Sequence, residues 1–247
     1  MIRKLALLSI MATIPSLAQT PDAKVAVPFV GCPSEGQAGP LDPPIGSPKL
    51  VALPAVLAEQ IAFYEGRQAP GAFAPRGWHC QVVYGSSGGF LVVTPTPPDF
   101  SRRIQSEVRG RAVEVEYVGG EGSGRFRVAA YASYLFPQAA AEFIKGVADL
   151  DPESTRDVLA SLPHANDSVS SVTRTVARFT TPAHTEGMGT DCSLAPGDDR
   201  VRGVAILHTD EGFYLTVLRV RLGSTSHDLE AAVLRLNERC IQDRGGC

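Results

Sequence analysis

Alternating apolar and polar positions predict a strand near the middle of this chain. Val113, Val115 and Tyr117 alternate with Glu114 and Glu116, which is the two-residue period of a strand with one face in the core. We therefore expect a half-buried strand over 112–118, with its two glutamates on the face away from the core.

Short apolar runs that flank turn-forming segments predict two hairpins. The first joins 78–84 to 90–94 through the segment GSSGG, and the second joins 201–208 to 213–222 through DEG. A strand over 126–136 is expected to pair antiparallel with 112–118, and 172–180 is a further predicted strand.

Three-to-four-residue apolar spacing predicts helices. One begins at Pro54, with Leu57, Ile61 and Tyr64 on one face. Others begin at Pro137, at Asp151-Pro152 and at the capping box of Thr225 and Asp228, and the last of these places Cys240 toward the core. Because the strands come in hairpins, we predict an α+β fold: a mostly antiparallel sheet with helices packed against it.

The first 18 residues have the pattern of a secretory signal peptide. Arg3 and Lys4 precede a short apolar run, and Ser16-Leu17-Ala18 fits a cleavage site. We expect residues 19–50 to form a Pro/Gly-rich arm without helical or strand periodicity, and residues 51–247 to form one globular domain. The protein is therefore expected to be secreted or periplasmic.

Composition narrows the classes of partner. Removing Arg3 and Lys4 with the signal lowers the formal charge from −3 to −5, and no basic cluster stands out, which argues against nucleic acid as a partner. Outside the signal no apolar run reaches the roughly 18 residues of a spanning helix, so we expect no membrane span after cleavage. No cofactor or metal motif is present.

Five cysteines in an exported chain favour disulfides over metal ligation. The sequence contains no C-x-x-C pair and leaves several connectivities open. A bridge between Cys240 and Cys247 across Gly245-Gly246 would leave Cys192 unpaired, and a bridge between Cys192 and Cys240 is the main alternative.

Three segments resemble a group of uncharacterised secreted bacterial proteins. They are 28–36 (PFVGCPSEG), 74–86 (APRGWHCQVVYGS) and 181–190 (TPAHTEGMGT). The resemblance implies export, a shared fold and a Cys32–Cys80 disulfide, because both cysteines lie in motifs that occur together. It carries no known activity.

Ser87 lies in a segment that fits the G-x-S-x-G pattern of hydrolase nucleophiles. That motif requires a strand, a sharp turn and then a helix, whereas 90–94 has a strand pattern. We therefore interpret Ser87 as a turn residue, and the hydrolase as the alternative.

The remaining candidates are possible ligand-binding residues. His184 and Glu186 follow a strand in a glycine-bearing loop and could act in acid/base chemistry, or bind a divalent ion with His208 or Asp191; the simpler interpretation pairs Glu186 with Arg76. Arg76 and Trp78 could line a groove for a sugar or peptide by stacking, although a single Trp in an apolar strand is typical of the core.

His79 and Cys80 are adjacent on a predicted strand, so their side chains point to opposite faces and do not form a catalytic pair. No set of residues meets the requirements of a catalytic site. We therefore predict a non-catalytic binding or interaction domain, with a hydrolase using Ser87 or His184 and Glu186 as the alternative.

Overall fold

The computed structural model describes residues 24–98, 108–161, 166–210, 212–223 and 226–243. The predicted signal peptide, its cleavage site after Ala18, Thr225 of the predicted capping box and Cys247 lie outside these residues. None of the helices in the described ranges combines the length and hydropathy that crossing a bilayer requires.

An eight-stranded sheet organises the molecule. In spatial order its strands are β10 (Ser168–Ser171), β11 (Val176–Thr181), β12 (Val201–His208), β13 (Tyr214–Arg221), β9 (Ala112–Gly119), β8 (Gly88–Thr94), β7 (His79–Gly85) and β3 (Ser34–Gly36). Every neighbouring pair is antiparallel except β3 and β7. Both predicted hairpins, β7–β8 and β12–β13, are confirmed, and so is the α+β fold class.

Two small sheets are built from the N-terminal part of the chain. The first pairs β1 (Lys24–Val27) with β4 (Lys49–Ala52), and the second orders β2 (Phe29–Gly31), β5 (Ile61–Glu65) and β6 (Ala72–Pro75). The segment expected to be an arm without strands therefore contains three short strands, β1 to β3. Their partners are distant in sequence, which local periodicity does not reveal.

The helix predicted from Pro54 through Tyr64 is wrong beyond its first turn. Helix α1 (Ala55–Ala58) is a single turn, and Ile61 and Tyr64 lie in β5. All four residues from Ile61 to Tyr64 are buried, so β5 lacks the polar face that distinguishes a strand from a helix by its period.

The strand predicted over 126–136 is also wrong, because these residues belong to helix α2 (Gly124–Leu135). Strand β9 pairs instead with β8 and β13. The five consecutive residues from Val128 to Ala132 are all buried, so α2 shows no helical stripe, and three alanines among them favour a helix.

The other three predicted helices are confirmed, but the helix predicted from Pro137 begins four residues later, at Ala141. They are α3 (Ala141–Leu150), α4 (Pro152–Ser161) and α5 (His227–Gln242), which carries Cys240 into the core. Asp151 caps α4, because its Oδ1 accepts a hydrogen bond from the Ser154 backbone N–H at 3.0 Å.

The large sheet is covered on both faces. Strands β5 and β6 and helix α5 pack on one face, against side chains that include Val113, Val115, Leu218 and Val220. Helices α2 and α3 pack on the other, against apolar side chains that include Val217. This second face also carries the ionised residues described next.

Candidate functional site

Three charged side chains lie inside the protein between the sheet and helix α2. Glu114 and Glu116 on β9 and Arg219 on β13 are all buried, and Glu114 and Arg219 are fully inaccessible to solvent. The expectation that the glutamates of β9 face away from the core is therefore wrong. A helix covers this face too, and the arginine of the neighbouring strand compensates the two carboxylates.

Arg219 is the centre of this charged cluster. Its Nη1 donates to Glu114 Oε1 at 2.7 Å and to Glu116 Oε2 at 2.8 Å. Its Nε donates to the Met188 carbonyl at 2.7 Å, and its Nη2 donates to the Tyr131 hydroxyl at 2.9 Å. Each guanidinium nitrogen therefore has a partner, as a buried arginine requires.

Arg127 of α2 holds the other side of Glu116. Its Nε and Nη2 donate to the two Glu116 oxygens at 3.1 and 3.2 Å. Nη2 also lies 3.1 Å from Asp191 Oδ2, and that oxygen accepts a hydrogen bond from Tyr131 at 2.6 Å. Asp191 follows a 3₁₀ turn (Met188–Thr190), so strand, helix and loop meet at one ionic cluster.

Hydrogen bonds to the residues that follow Cys192 hold the loop of Asp191 and Cys192 in place. The Ser193 backbone N–H donates to Glu114 Oε2 at 2.9 Å, and the Ser193 hydroxyl contacts the same oxygen. Arg221, also buried, donates to the carbonyls of Ala195 and Gly110 at 2.8 Å each. These contacts hold the loop in place before any ligand binds.

Three groups in and beside the cluster have pKa values displaced from their ordinary ones. Burial alone would raise the pKa of Glu116, but the guanidiniums of Arg127 and Arg219 hold it below its ordinary value. Burial raises the pKa of Tyr131 well above its ordinary value, and burial together with Glu114 and Glu116 does the same for Cys192. The carboxylate of Glu116 is therefore ionised, and the phenol and the thiol are neutral.

A cavity of about 360 Å³ opens beside Arg127; we call it the charged cavity. The turn after β3, strands β7, β8 and β9, the turn between β7 and β8, helix α2 and the 191–192 loop supply its polar, aromatic and aliphatic lining. The lining includes Gln37, Val83, Tyr84, Ser87, Phe90, Glu116, Tyr117, Val118, Arg127, Asp191 and Cys192. Its size falls in the range of small-molecule sites, roughly 300–1,000 Å³.

Two charged groups in the charged cavity retain unused hydrogen-bonding capacity. Among the described residues, Arg127 uses Nε and Nη2 but not Nη1, and Asp191 uses Oδ2 but not Oδ1. Cys192 is a free, half-buried thiol. The cavity therefore offers a cationic donor and an anionic acceptor to the same ligand.

Ser87 lies in the two-residue turn between β7 and β8, as predicted, because Gly85 pairs with Gly88 on either side of it. Strand β8 follows, so the strand–turn–helix geometry of a nucleophile elbow is not formed. The Ser87 hydroxyl contacts the hydroxyl of Ser123 at 3.4 Å, and the Ser87 carbonyl accepts a hydrogen bond from Gly119.

His184 and Glu186 lie on an exposed loop, away from the charged cavity. His184 has a positive φ of 59°, and its Nδ1 is 3.9 Å from Asp198. His208 lies elsewhere, stacked on Tyr214 with ring centroids 4.1 Å apart. Within the described ranges, no group of three or more His, Cys, Asp or Glu residues could hold a metal ion.

Arg76 and Trp78 lie at the turn before β7 and do not line the charged cavity. Trp78 is half-buried against the apolar face of the large sheet, and the Arg111 guanidinium covers its ring at 5.7 Å. The ion pair between Arg76 and Glu186 is not among those formed by the described residues. The structure therefore separates all four candidate ligand-binding residues from the charged cluster.

The Cys32–Cys80 disulfide is confirmed, and it leaves His79 exposed on the opposite face of β7. Cys192 is free, which rules out the alternative bridge from Cys192 to Cys240. Cys240 is disulfide-bonded, and the predicted Cys240–Cys247 bridge involves a residue outside the described ranges.

Sequence reasoning missed the charged cluster: it singled out none of its residues as functional except Asp191, which it named only as a possible ligand of a divalent ion. One signal was present: Glu114 and Glu116 occupy alternate positions of β9, and Arg219 and Arg221 occupy alternate positions of β13. Adjacent strands with opposite charges at the same spacing indicate cross-strand ion pairs, and Glu114 and Arg219 are indeed register partners. Arg127 and Asp191 carried no comparable signal, because one was placed in a strand and the other in a loop.

Comparison with known protein families, with curated proteins and with solved structures finds no match for this chain. The candidate site therefore rests on the geometry of the charged cavity alone.

Proposed function

We propose that this protein is an exported, non-catalytic binding protein whose ligand occupies the charged cavity. One observation carries the proposal: Arg127 and Asp191 of the charged cluster both line that cavity, and among the described residues one guanidinium nitrogen of Arg127 and one carboxylate oxygen of Asp191 have no partner. Replacing buried ion pairs by apolar residues of similar volume is often neutral or stabilising. The cluster is therefore a costly way to build a core and an effective way to hold charges for a ligand.

The same geometry supports binding over catalysis. A general acid or base works best with a pKa near the working pH, whereas the pKa values of Glu116, Tyr131 and Cys192 are displaced away from neutrality. A nucleophilic cysteine needs a lowered pKa, and that of Cys192 is raised. The hydrolase alternative has no comparable support at Ser87 or at His184 and Glu186.

The unused groups define the class of ligand. Nη1 of Arg127 suits a carboxylate, because a guanidinium binds carboxylates through charge-assisted hydrogen bonds. Oδ1 of the adjacent Asp191 suits an ammonium group, and Tyr84 and Tyr117 add aromatic surface. We therefore propose a small zwitterion, namely an amino acid or a short peptide.

Thermal unfolding of residues 19–247 in the presence of matched probes tests this proposal. The probes are the free amino acids and glycyl dipeptides, each with its amide, which lacks the carboxylate, and its N-acetyl form, which lacks the ammonium. A ligand that binds only the folded state at 100 times its Kd adds about 2.7 kcal/mol to the free energy of unfolding. We expect one or more zwitterions to raise Tm, and their amide and N-acetyl forms to have no effect.

Two variants locate the response. Arg127→Gln leaves Glu116 paired with Arg219, so the fold is retained while the response is lost. Asp191→Asn should lose the response to the ammonium group in the same way. Arg239→Gln, at an exposed position of α5 on the other side of the sheet, is the matched control and should respond like the wild type. A set of probes that never shifts Tm, or a shift retained in Arg127→Gln, would overturn the proposal.

Export is the other part of the proposal. It is supported by the signal-like pattern of residues 1–18 and by the Cys32–Cys80 disulfide, which is typical of oxidising compartments. Intact-mass measurement on protein from the native host is expected to give a mature chain that begins at Gln19. Retention of residues 1–18 would contradict it.

A further inference from the structure

A second concave surface lies on the opposite face of the sheet from the charged cavity. A groove of about 440 Å³ on this face is lined by residues of helix α5 and of the outer strands β10, β11 and β12. We call it the basic groove. Three arginines line it, namely Arg178, Arg202 and Arg235, against one carboxylate, Glu238.

The arginines are held in place and still have free donors. Glu238 accepts hydrogen bonds from Nε and Nη2 of Arg178 at 3.0 and 2.9 Å, and Glu230 accepts one from Nη1 of Arg202 at 3.1 Å. Among the described residues, Nη1 of Arg178 and the Nε and Nη2 of Arg202 have no protein partner. Arg235 makes no ion pair within the same residues.

The carboxylates at the basic groove are more deeply buried than the arginines that they pair with. The side chains of Glu230 and Glu238 are 3 % and 11 % exposed, whereas those of Arg202 and Arg178 are 41 % and 54 % exposed. Arg200 also lies 3.9 Å from Glu230. The carboxylates therefore orient the guanidiniums from beneath, and the solvent-facing part of the groove is positive.

Hydroxyl groups add neutral donors to the same surface. Ser168, Ser170 and Thr180 line the groove. The register places Ser168 opposite Thr180 and Ser170 opposite Arg178, so all four project from one face of the sheet. Guanidinium and hydroxyl donors that converge in this way match an anion with several acceptor oxygens.

We propose that the basic groove is a second binding site, which takes a tetrahedral oxyanion carried on a small organic molecule. The free donors of Arg178, Arg202 and Arg235 bind the oxyanion, and the serine and threonine hydroxyls orient it. Phosphate esters and sulfate esters share this chemistry, and the probes below separate them.

Isothermal titration of the full mature chain in a phosphate-free and sulfate-free buffer tests the proposal. The probes are inorganic phosphate, inorganic sulfate, glucose 6-phosphate, glucose 6-sulfate and, as a planar anion, glucuronate. We expect an ester to bind more tightly than its inorganic ion, and glucuronate to bind at least about tenfold more weakly, because a carboxylate offers fewer acceptor oxygens. The better of the two esters identifies the source of the oxyanion.

The variant Arg235→Gln removes a guanidinium that stabilises no buried carboxylate. It is expected to raise the Kd of the preferred ester about tenfold and to reduce the dependence of binding on salt. Arg239→Gln, on the same helix but outside the groove, is the matched control and should bind like the wild type. An ester Kd that is unchanged in Arg235→Gln, or no binding by any tetrahedral probe, would overturn the proposal. The zwitterion response of the charged cavity is a separate readout that neither result changes.

Discussion

The two faces of the large sheet solve the same packing problem with different chemistry. The face under α5 is lined by side chains such as Val113, Val115 and Leu218, whereas the face under α2 carries Glu114, Glu116 and Arg219 at the neighbouring positions of the same strands. Both faces are buried, so burial alone does not explain the charges. The difference supports the proposal that the charged residues of the α2 face serve ligand binding in addition to packing.

The apolar face gains stability from area removed from water, about 25 cal/mol per Å². The charged face must first offset the desolvation of each ion and only then gains from pairing. A single substitution should therefore have a larger effect on the charged face, and removing both partners of a pair should have a smaller one. Single and paired substitutions on the two faces test this contrast.

Arg219→Met is expected to lower the free energy of unfolding by roughly 3–5 kcal/mol, because it leaves Glu114 buried without its counter-ion. Val220→Ala, the next residue of β13 on the apolar face, is the matched control, with an expected loss of about 1.5–3 kcal/mol. Urea denaturation measures both. The double variant Arg219→Met with Glu114→Met should recover part of the free energy of unfolding that Arg219→Met loses. If the losses of the two single variants simply add in the double variant, the contrast between the two faces is wrong.

The double variant Cys32→Ala with Cys80→Ala is expected to cost about 2–4 kcal/mol. The disulfide spans 48 residues and joins the small N-terminal sheets to the apolar face, where Cys32 is fully buried. Cys192→Ala breaks no bridge and should change the free energy of unfolding by less than about 0.5 kcal/mol. Equal effects of the two changes in denaturant titrations would contradict the role assigned to the disulfide.

The stability of the charged face should depend on acid pH. The folded-state pKa of Glu116 lies below its ordinary value of 4.5, so its stabilising contribution is complete above that pH. The contribution is lost as pH falls through the lower, folded-state pKa. In a series of Tm measurements at falling pH, Glu116→Gln should reduce the drop in Tm below pH 4.5, whereas Glu186→Gln on the exposed loop should leave that drop unchanged. The same drop in Tm in the wild type and in Glu116→Gln would contradict the role assigned to Glu116.

Ser87→Ala is expected to have the smallest effect, within about 0.5 kcal/mol, since among the described residues its hydroxyl contacts only the Ser123 hydroxyl, at 3.4 Å. Gly88→Ala in the same turn should be much more damaging. Gly88 has a φ of 154°, and a Cβ there would lie 2.1 Å from the Tyr117 carbonyl oxygen. A Ser87→Ala variant that loses zwitterion binding while it stays folded would revive a functional role for this serine.

The sequence was sufficient to predict a helix or a hairpin where the element has one polar face or is closed by a local turn. The hairpins β7–β8 and β12–β13 and the amphipathic helices α3 and α5 were predicted for this reason. It was insufficient where an element is buried on several sides: β5 was predicted as a helix and α2 as a strand. Two wrong predictions hid the charged cavity: α2, which carries Arg127, was predicted as a strand, and Glu116 of β9 was expected to face away from the core.

Cys192 provides the most direct test of the claim that the charged cavity binds a ligand. Its thiol lines the cavity beside Arg127 and Asp191. Its raised pKa makes alkylation by iodoacetamide slow, but the ratio of the rates with and without ligand still reports on occupancy. Peptide mass spectrometry would follow the alkylation rate with and without a saturating concentration of the zwitterion that raises Tm most. We predict alkylation slowed about tenfold in the wild type, as expected for about 90 % occupancy at ten times the Kd, and not in Arg127→Gln. An alkylation rate that the zwitterion leaves unchanged would contradict the account.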